Sequence, residues 1–438
     1  MLGRRTHAVA LGVALLAACR INDADEPGRT EVPVTIAPTA QWCGNEVRVT
    51  SARYVGLELL PVFRAGATAV YARRLDDSTL AVATAELPCG TYELTETFED
   101  ETPRSLGTIT LHGFTRLAGA QPDLYGDMVV WSRTGEVIVV GGNREGLGLV
   151  YPRTDRLVHY PGVGRIAEPG RLQEPGLSYD HNIVLVTAQD ETGSELVQAW
   201  RLLPSPTLVT TYSLWRGPAR QLLQLSPTLW LVGWPHDAQT VSPAGVRATA
   251  WESGPSGLRL SPRRDRATVT SNGTASGHPV FDAVSGELVY EIASIWRGTA
   301  AEFSFDGDTL YIAGHARRWY EEPVLKAVRA ADGLSIATVP LPTEYYAFFS
   351  MALDPEAPLL YVGAARRFSG APVLLVYDRR DLSLVATLKV PEAPENVCSW
   401  ACDGGVVAVD GNADEVFIVS GANVQGTHIY HFSLPPTR

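Results

Sequence analysis

The chain has 438 residues, 45% hydrophobic and 19% charged, so it can build two or three globular domains and does not have a disordered composition. Its formal net charge of -12 repels phosphate backbones and excludes nucleic acid as a partner class. Lysine occurs only at Lys326 and Lys389 while arginine is plentiful, which reads as the codon bias of a GC-rich genome.

Arg4 and Arg5 precede an apolar stretch from Ala8 to Leu16, and the segment closes on Leu16-Ala17-Ala18-Cys19. This is the layout of a secretory signal. The apolar run is too short for the helix of ~20 residues that crosses a bilayer of ~30 Å. Small residues just before a cysteine resemble the lipobox of bacterial lipoproteins. The resemblance implies cleavage before Cys19, thioether diacylglycerol on its sulfur and acylation of the new amino terminus. An ordinary signal peptide with a chance cysteine is the alternative. Each buried acyl methylene contributes about 0.8 kcal/mol, so two or more chains hold a protein on a membrane. Inner-membrane lipoproteins often carry Asp after the cysteine, so Arg20 leans towards the outer membrane. The segment that follows is polar and carries Pro27 and Gly28, so it reads as a tether.

From Glu31 to about Gly113 apolar and polar residues alternate in short runs, among them "NEVRVTSARYVGLEL", "TLAVATAEL" and "GTYELTETF". Period-two alternation rich in Val, Thr and Tyr predicts half-buried strands, and six or seven of them predict a small antiparallel β-sandwich. "ELPCGTYELTE", Glu86 to Glu96, resembles a strand of transthyretin-like and immunoglobulin-like accessory domains of secreted proteins. With Cys19 given to the lipid, Cys43, Cys89, Cys398 and Cys402 remain, an even number for an oxidising compartment. Of three pairings, Cys43 with Cys89 and Cys398 with Cys402 keeps each bridge within one domain. A four-cysteine zinc site needs closely spaced ligand pairs on both sides, which Cys43 and Cys89 do not supply.

A different regularity begins near Tyr125. Apolar strands recur at Glu136 to Gly142, Asn182 to Ala188, Thr228 to Trp234, Arg266 to Asn272, Thr309 to His315, Leu359 to Ala365 and Glu415 to Gly421. Their spacings are about 46, 46, 37, 44, 50 and 56 residues, the period of all-strand β-propeller units. A turn rich in Asp, Pro and Gly precedes each strand and a third strand and turn follow, giving four strands per blade. The runs Ser304 to Ile312 and Leu353 to Gly363 resemble the YVTN-type and related WD40-like seven-bladed propellers of exported bacterial proteins. About seven blades are expected, with six or eight as alternatives. The last unit ends on a third strand, so a segment near Leu106 to Leu117 is expected to pair beside Ile429 to Phe432 and close the ring. The domain plan is therefore signal peptide over 1–18, tether over 19–30, β-sandwich over 31–113 and β-propeller over 114–438.

Groups that carry chemistry are sparse. His428 and His431 stand three apart on a strand, where alternation sends them to opposite faces and denies them a shared metal. His315 follows a blade strand and is a candidate for the central channel, though a structural role competes with that reading. Asp410, Asn412 and Asp414 have the opening spacing of a calcium loop, but Glu415 and Gly421 replace its glycine and closing glutamate, so a hairpin turn is expected. Ser304 to Thr309 is similar to the Asp-box of sialidases, and Asp282 to Tyr290 to a repeat of quinoprotein propellers. Both read as turns.

No serine-hydrolase elbow, zinc-protease, phosphate-loop or dinucleotide motif occurs. Trp215, Trp230, Trp234, Trp251, Trp296, Trp319 and Trp400 spread through the repeats, available for packing between blades or for a partner at the rim. The expectation is a non-catalytic envelope lipoprotein without cofactor, displaying a propeller to a protein or glycan partner. The competing reading is a lactonase-like hydrolase, which requires three or more convergent Asp, Glu, His or Asn side chains around a metal in the channel.

Overall fold

A computed structural model describes residues 32–99, 101–121, 125–132, 137–142, 146–161, 163, 175–177, 183–189, 192, 195–201, 205–213, 221–226, 228–233, 238–242, 245–251, 255–271, 277–295, 297–317, 322–366, 372–390, 406–411, 414–422 and 426–436. Cys19, Cys398 and Cys402 lie outside these residues. The chain divides into two compact units, Met1–Leu111 and His112–Arg438.

The first unit is an antiparallel β-sandwich. One sheet orders Val34–Ala37, Val47–Ser51, Thr79–Val82 and Ala72–Arg74; the other orders Ala40–Trp42, Arg104–His112, Gly90–Thr97, Val62–Ala65 and Thr68–Val70. Alternation in sequence becomes alternation in burial: Val47, Val49 and Ser51 point inward while Arg48 and Thr50 face water. The inward residues Val49, Phe63, Leu80, Leu94 and Ile109 form one core. A disulfide joins Cys43 to Cys89, with Cα atoms 5.6 Å apart.

The second unit is an all-β propeller. Among the described residues seven blades of four antiparallel strands follow one another, with the inner strands of blades 2 and 3 bridged in parallel at Leu177 and Leu223 into one eight-stranded sheet. Blade 1 runs over Tyr125–Ser132, Val137–Gly142, Gly146–Tyr151 and Arg156–Pro161, and blade 2 over Pro175–Leu177, Val184–Gln189, Glu195–Arg201 and Thr207–Ser213. Blade 3 runs over Gln221–Ser226, Leu229–Gly233, Ala238–Ser242 and Gly245–Trp251, and blade 4 over Pro255–Leu260, Arg266–Ser271, Pro279–Asp282 and Leu288–Glu291. Blade 5 takes Arg297–Phe303, Thr309–His315, Pro323–Arg329 and Ser335–Pro340; blade 6 takes Tyr345–Leu353, Leu359–Arg366, Pro372–Asp378 and Leu384–Lys389. Blade 7 takes Val406–Asp410, Glu415–Ala422 and Gly426–Ser433, completed from the far end of the unit by Phe114–Gln121.

The first strand of each blade lies beside the first strands of both neighbours, and Tyr125–Ser132 touches Val406–Asp410, so the ring closes. Second strands are sandwiched between blades, which is why they read as unbroken apolar runs rather than alternating ones. Leu229–Gly233 is buried at every position. Six apolar clusters each span two successive blades; in one, Ala313 and Leu325 of blade 5 meet Val362 and Leu375 of blade 6.

Closure corrects one expectation. The strand that seals blade 7 is Phe114–Gln121, with Phe114 opposite Phe432, Leu117 opposite Tyr430 and Ala118 opposite Ile429. The earlier part of the expected segment, Leu106 to Leu111, instead pairs with Gly90–Thr97 in the sandwich. The reason is register: Leu106, Ile109 and Leu111 supply the sandwich core, so they are already spent on another sheet. At the seam the His431 ring lies 2.7 Å from the Asp155 carboxylate of blade 1, and Arg116 of the sealing strand binds the same carboxylate.

Candidate interaction surface

Each blade is an up-and-down meander, so its first and third turns emerge on one face of the propeller. This turn face is built by short polar side chains that bond their own backbone. In blade 4, Ser261 Oγ donates to Asp265 at 2.7 Å and accepts the N–H groups of Asp265 and Arg266. In blade 5, Ser304 Oγ donates to Asp306 and accepts the Thr309 N–H at 2.9 Å. In blade 6, Asp354 takes the place of the serine. Its carboxylate accepts the N–H groups of Glu356 and Ala357 and the hydroxyl of Tyr361 at 2.9 Å.

The third turns use the same device. Asp282 accepts the N–H groups of Val284 and Ser285, and these bonds, the Ser285 one foremost, hold its carboxyl below the usual range. Asp306 is lowered chiefly by the Ser304 hydroxyl. These bonds stiffen the turns, so the side chains between them are held in fixed positions.

Three of those side chains are large, apolar and solvent-facing. Val284 in blade 4 is 71% exposed, Phe305 in blade 5 is 55% and Leu334 in blade 5 is 58%. They stand on turns of the same face, and contacts between blades tie those turns together. Arg263 of blade 4 pairs with Asp308 of blade 5 at 2.6 Å, and the Arg379 guanidinium of blade 6 stands 5.7 Å from the Phe305 ring centre. Tyr290 of blade 4 donates its hydroxyl to the Ala330 carbonyl of blade 5 at 2.8 Å. Exposed aliphatic and aromatic side chains with arginines nearby on one face have the composition of a protein-binding surface.

The candidates singled out in the sequence fall elsewhere. His315 is fully buried beside Phe348, its ring centre 5.8 Å away, and so is packed between blades 5 and 6 rather than exposed in a channel. His431 stacks edge-on to Phe417, while His428 lies by Tyr430 and burial lowers its pKa. Asp410 and Asp414 flank the hairpin between the first two strands of blade 7, and Asn412 lies outside the described residues. The stretch resembling an Asp-box is the first turn of blade 5, and Asp282 to Tyr290 is the third turn and outer strand of blade 4. Among the tryptophans, Trp230 is buried between blades 2 and 3. Trp215, Trp234, Trp296, Trp319 and Trp400 lie outside the described residues.

Where the inner strands of blades 4 and 5 run side by side, Arg259 and Glu302 lie 3.6 Å apart, and desolvation raises the Glu302 carboxyl. Among the described residues no group of three His, Cys, Asp or Glu side chains is placed to hold a metal ion. Sequence reasoning missed Val284, Phe305 and Leu334 as a set. The available signal was a large apolar residue wedged between turn formers, as in Ser304-Phe305-Asp306 and Gly333-Leu334-Ser335.

No family model matches the chain, and no curated protein matches it. Solved structures do match, 1049 chains among them, so the architecture is widespread and the likeness singles out no one activity. One is a WD40 propeller chain from the "Crystal Structure of Mitotic Checkpoint Complex". It is 13% identical, with a TM-score of 0.54, and the match covers 77% of this chain and 98% of that one. At that identity the likeness is one of fold.

Proposed function

We propose that this protein is a lipid-anchored component of a bacterial cell envelope whose propeller is a non-catalytic platform for a protein partner. The observation that carries the reading is the exposure of Val284, Phe305 and Leu334 on one turn face, displayed on turns braced by their own hydrogen bonds. Aliphatic groups beside one aromatic ring suit a protein surface better than a glycan, which stacks on several rings. The propeller likeness supports a platform, since this architecture presents many turns on one rigid face.

The anchor rests on Leu16-Ala17-Ala18-Cys19 and the short polar tether that follows, with Arg20 favouring the outer membrane. The YVTN-like runs at Ser304 to Ile312 and Leu353 to Gly363 fit an exported bacterial protein. Two measurements test the two halves. Cys19→Ser is expected to move the protein out of the membrane fraction or block its processing, and unchanged retention contradicts the anchor. Phe305→Ala is expected to abolish co-purification of the partner from solubilised envelopes, and an unaltered set of co-purifying proteins contradicts the platform.

A further inference from the structure

We infer that the partner meets the turn face of blades 4 to 7 with a basic, apolar segment; this rests on the platform reading and specifies what the platform accepts. The seven turn segments 261–266, 282–288, 304–309, 329–335, 354–359, 378–384 and 410–415 carry thirteen carboxylates and six arginines. More than half of the chain's net charge of -12 is thus gathered on the turns of this one face, which includes the three turns that carry Val284, Phe305 and Leu334.

The arginines there are already engaged. Arg263 pairs with Asp308 at 2.6 Å and Arg266 with Asp282 at 3.4 Å, while Arg329 and Arg380 bind Asp332 and Asp378. Arg379 donates to the Ala357 carbonyl at 2.9 Å. The excess of carboxylates therefore sets the field that an approaching molecule meets. Three of these carboxylates, on Asp354, Glu356 and Asp414, border a shallow notch between blades 6 and 7 with Leu434 and Pro435 at its side. A field of one sign beside an exposed apolar cluster selects partners of opposite charge and speeds their encounter. Val284, Phe305 and Leu334 then supply the contact that persists after docking.

The test uses the full chain purified in detergent and two fluorescein-labelled peptides, one alternating Leu with Lys and its twin alternating Leu with Glu. The Lys peptide is expected to bind, with Kd rising roughly ten-fold between low and high salt as screening sets in. Phe305→Ala is expected to weaken it about ten-fold, as a central aromatic contact does. Joint replacement Glu356→Gln and Asp381→Asn is expected to weaken it about five-fold and to flatten its salt dependence. Equal binding of the Glu twin overturns the inference, and so does a Lys-peptide affinity that neither variant changes, because the charge then acts from another surface. These results leave the platform standing if Phe305→Ala still removes the co-purifying partner. Loss of no partner in that experiment sinks the platform itself.

Discussion

His278 is held neutral inside blade 4. It is 1% exposed, and burial pushes its pKa from 6.5 down to about 3. The Thr268 hydroxyl donates its one proton to the Pro279 carbonyl at 2.7 Å. The His278 Nε2 therefore carries the hydrogen in its 2.7 Å contact with Thr268. The unfolded chain takes up a proton here below pH 6.5, whereas the folded protein does not until about pH 3. Stability from this site is complete above the first value and drains away as pH falls towards the second, by on the order of a few kcal/mol in all. Denaturation midpoints are expected to drop between neutral and mildly acid pH, and His278→Gln to reduce that slope; an unchanged slope contradicts the buried neutral histidine. In the sandwich Glu96 is fully buried and accepts from the Tyr54 hydroxyl at 2.7 Å and from Arg53 at 3.1 Å. Glu96→Ala leaves the buried Tyr54 hydroxyl unpaired and Arg53 with Glu101 alone, and is expected to cost about 3 kcal/mol in urea denaturation. The pattern "NEVRVTSARY" marks a strand, but nothing in it announces that Arg53 and Tyr54 share a carboxylate 42 residues or more away.

Turns and strands show where sequence reading succeeds and where it stops. Second strands such as Thr309–His315 are legible because burial on both faces demands unbroken apolar runs. The capped turns are legible because Ser, Asp and Gly are needed to make them. Which apolar residue a turn pushes into water is set by the bonds that close it, and those are not visible in composition. Contact between blades is equally hidden. Gly286 has φ of +77°, and a Cβ there would lie 2.7 Å from Thr240 Cγ2 of blade 3. Gly44 has φ of +88°, with nothing within 4 Å of such a Cβ. Gly286→Ala is therefore expected to cost roughly 2 kcal/mol or more, against about 1 kcal/mol for Gly44→Ala, where only backbone strain applies. Equal losses in thermal melts contradict the blade contact. Ala118 is buried opposite Ile429 in the sealing strand, so Ala118→Pro forces a fixed φ and a ring into the pairing at the seam. It is expected to cost about 3 kcal/mol and to raise hydrogen exchange across Gly426–Ser433; exchange unchanged there argues against the closure.

At the scale of the molecule, a repeat of about 40 to 50 residues made the propeller readable without any homologue. The closing strand was placed only approximately, because the core of the sandwich and the edge of blade 7 compete for neighbouring apolar residues. The surface that the propeller offers was not readable, since it assembles turns of blades 4, 5 and 6 that stand far apart in the chain. A ring closed by its own first strand holds those turns at fixed spacing, and a fixed patch is what a partner of one shape requires. The most direct test places a photoreactive amino acid at Phe305, at Leu334 and, for comparison, at Leu208 on the outer strand of blade 2, which is 44% exposed. After illumination of intact envelopes, Phe305 and Leu334 are expected to crosslink to the same protein and Leu208 to spare it. Labelling of that protein from Leu208 alone, or equally from all three sites, would contradict the turn face as the binding surface.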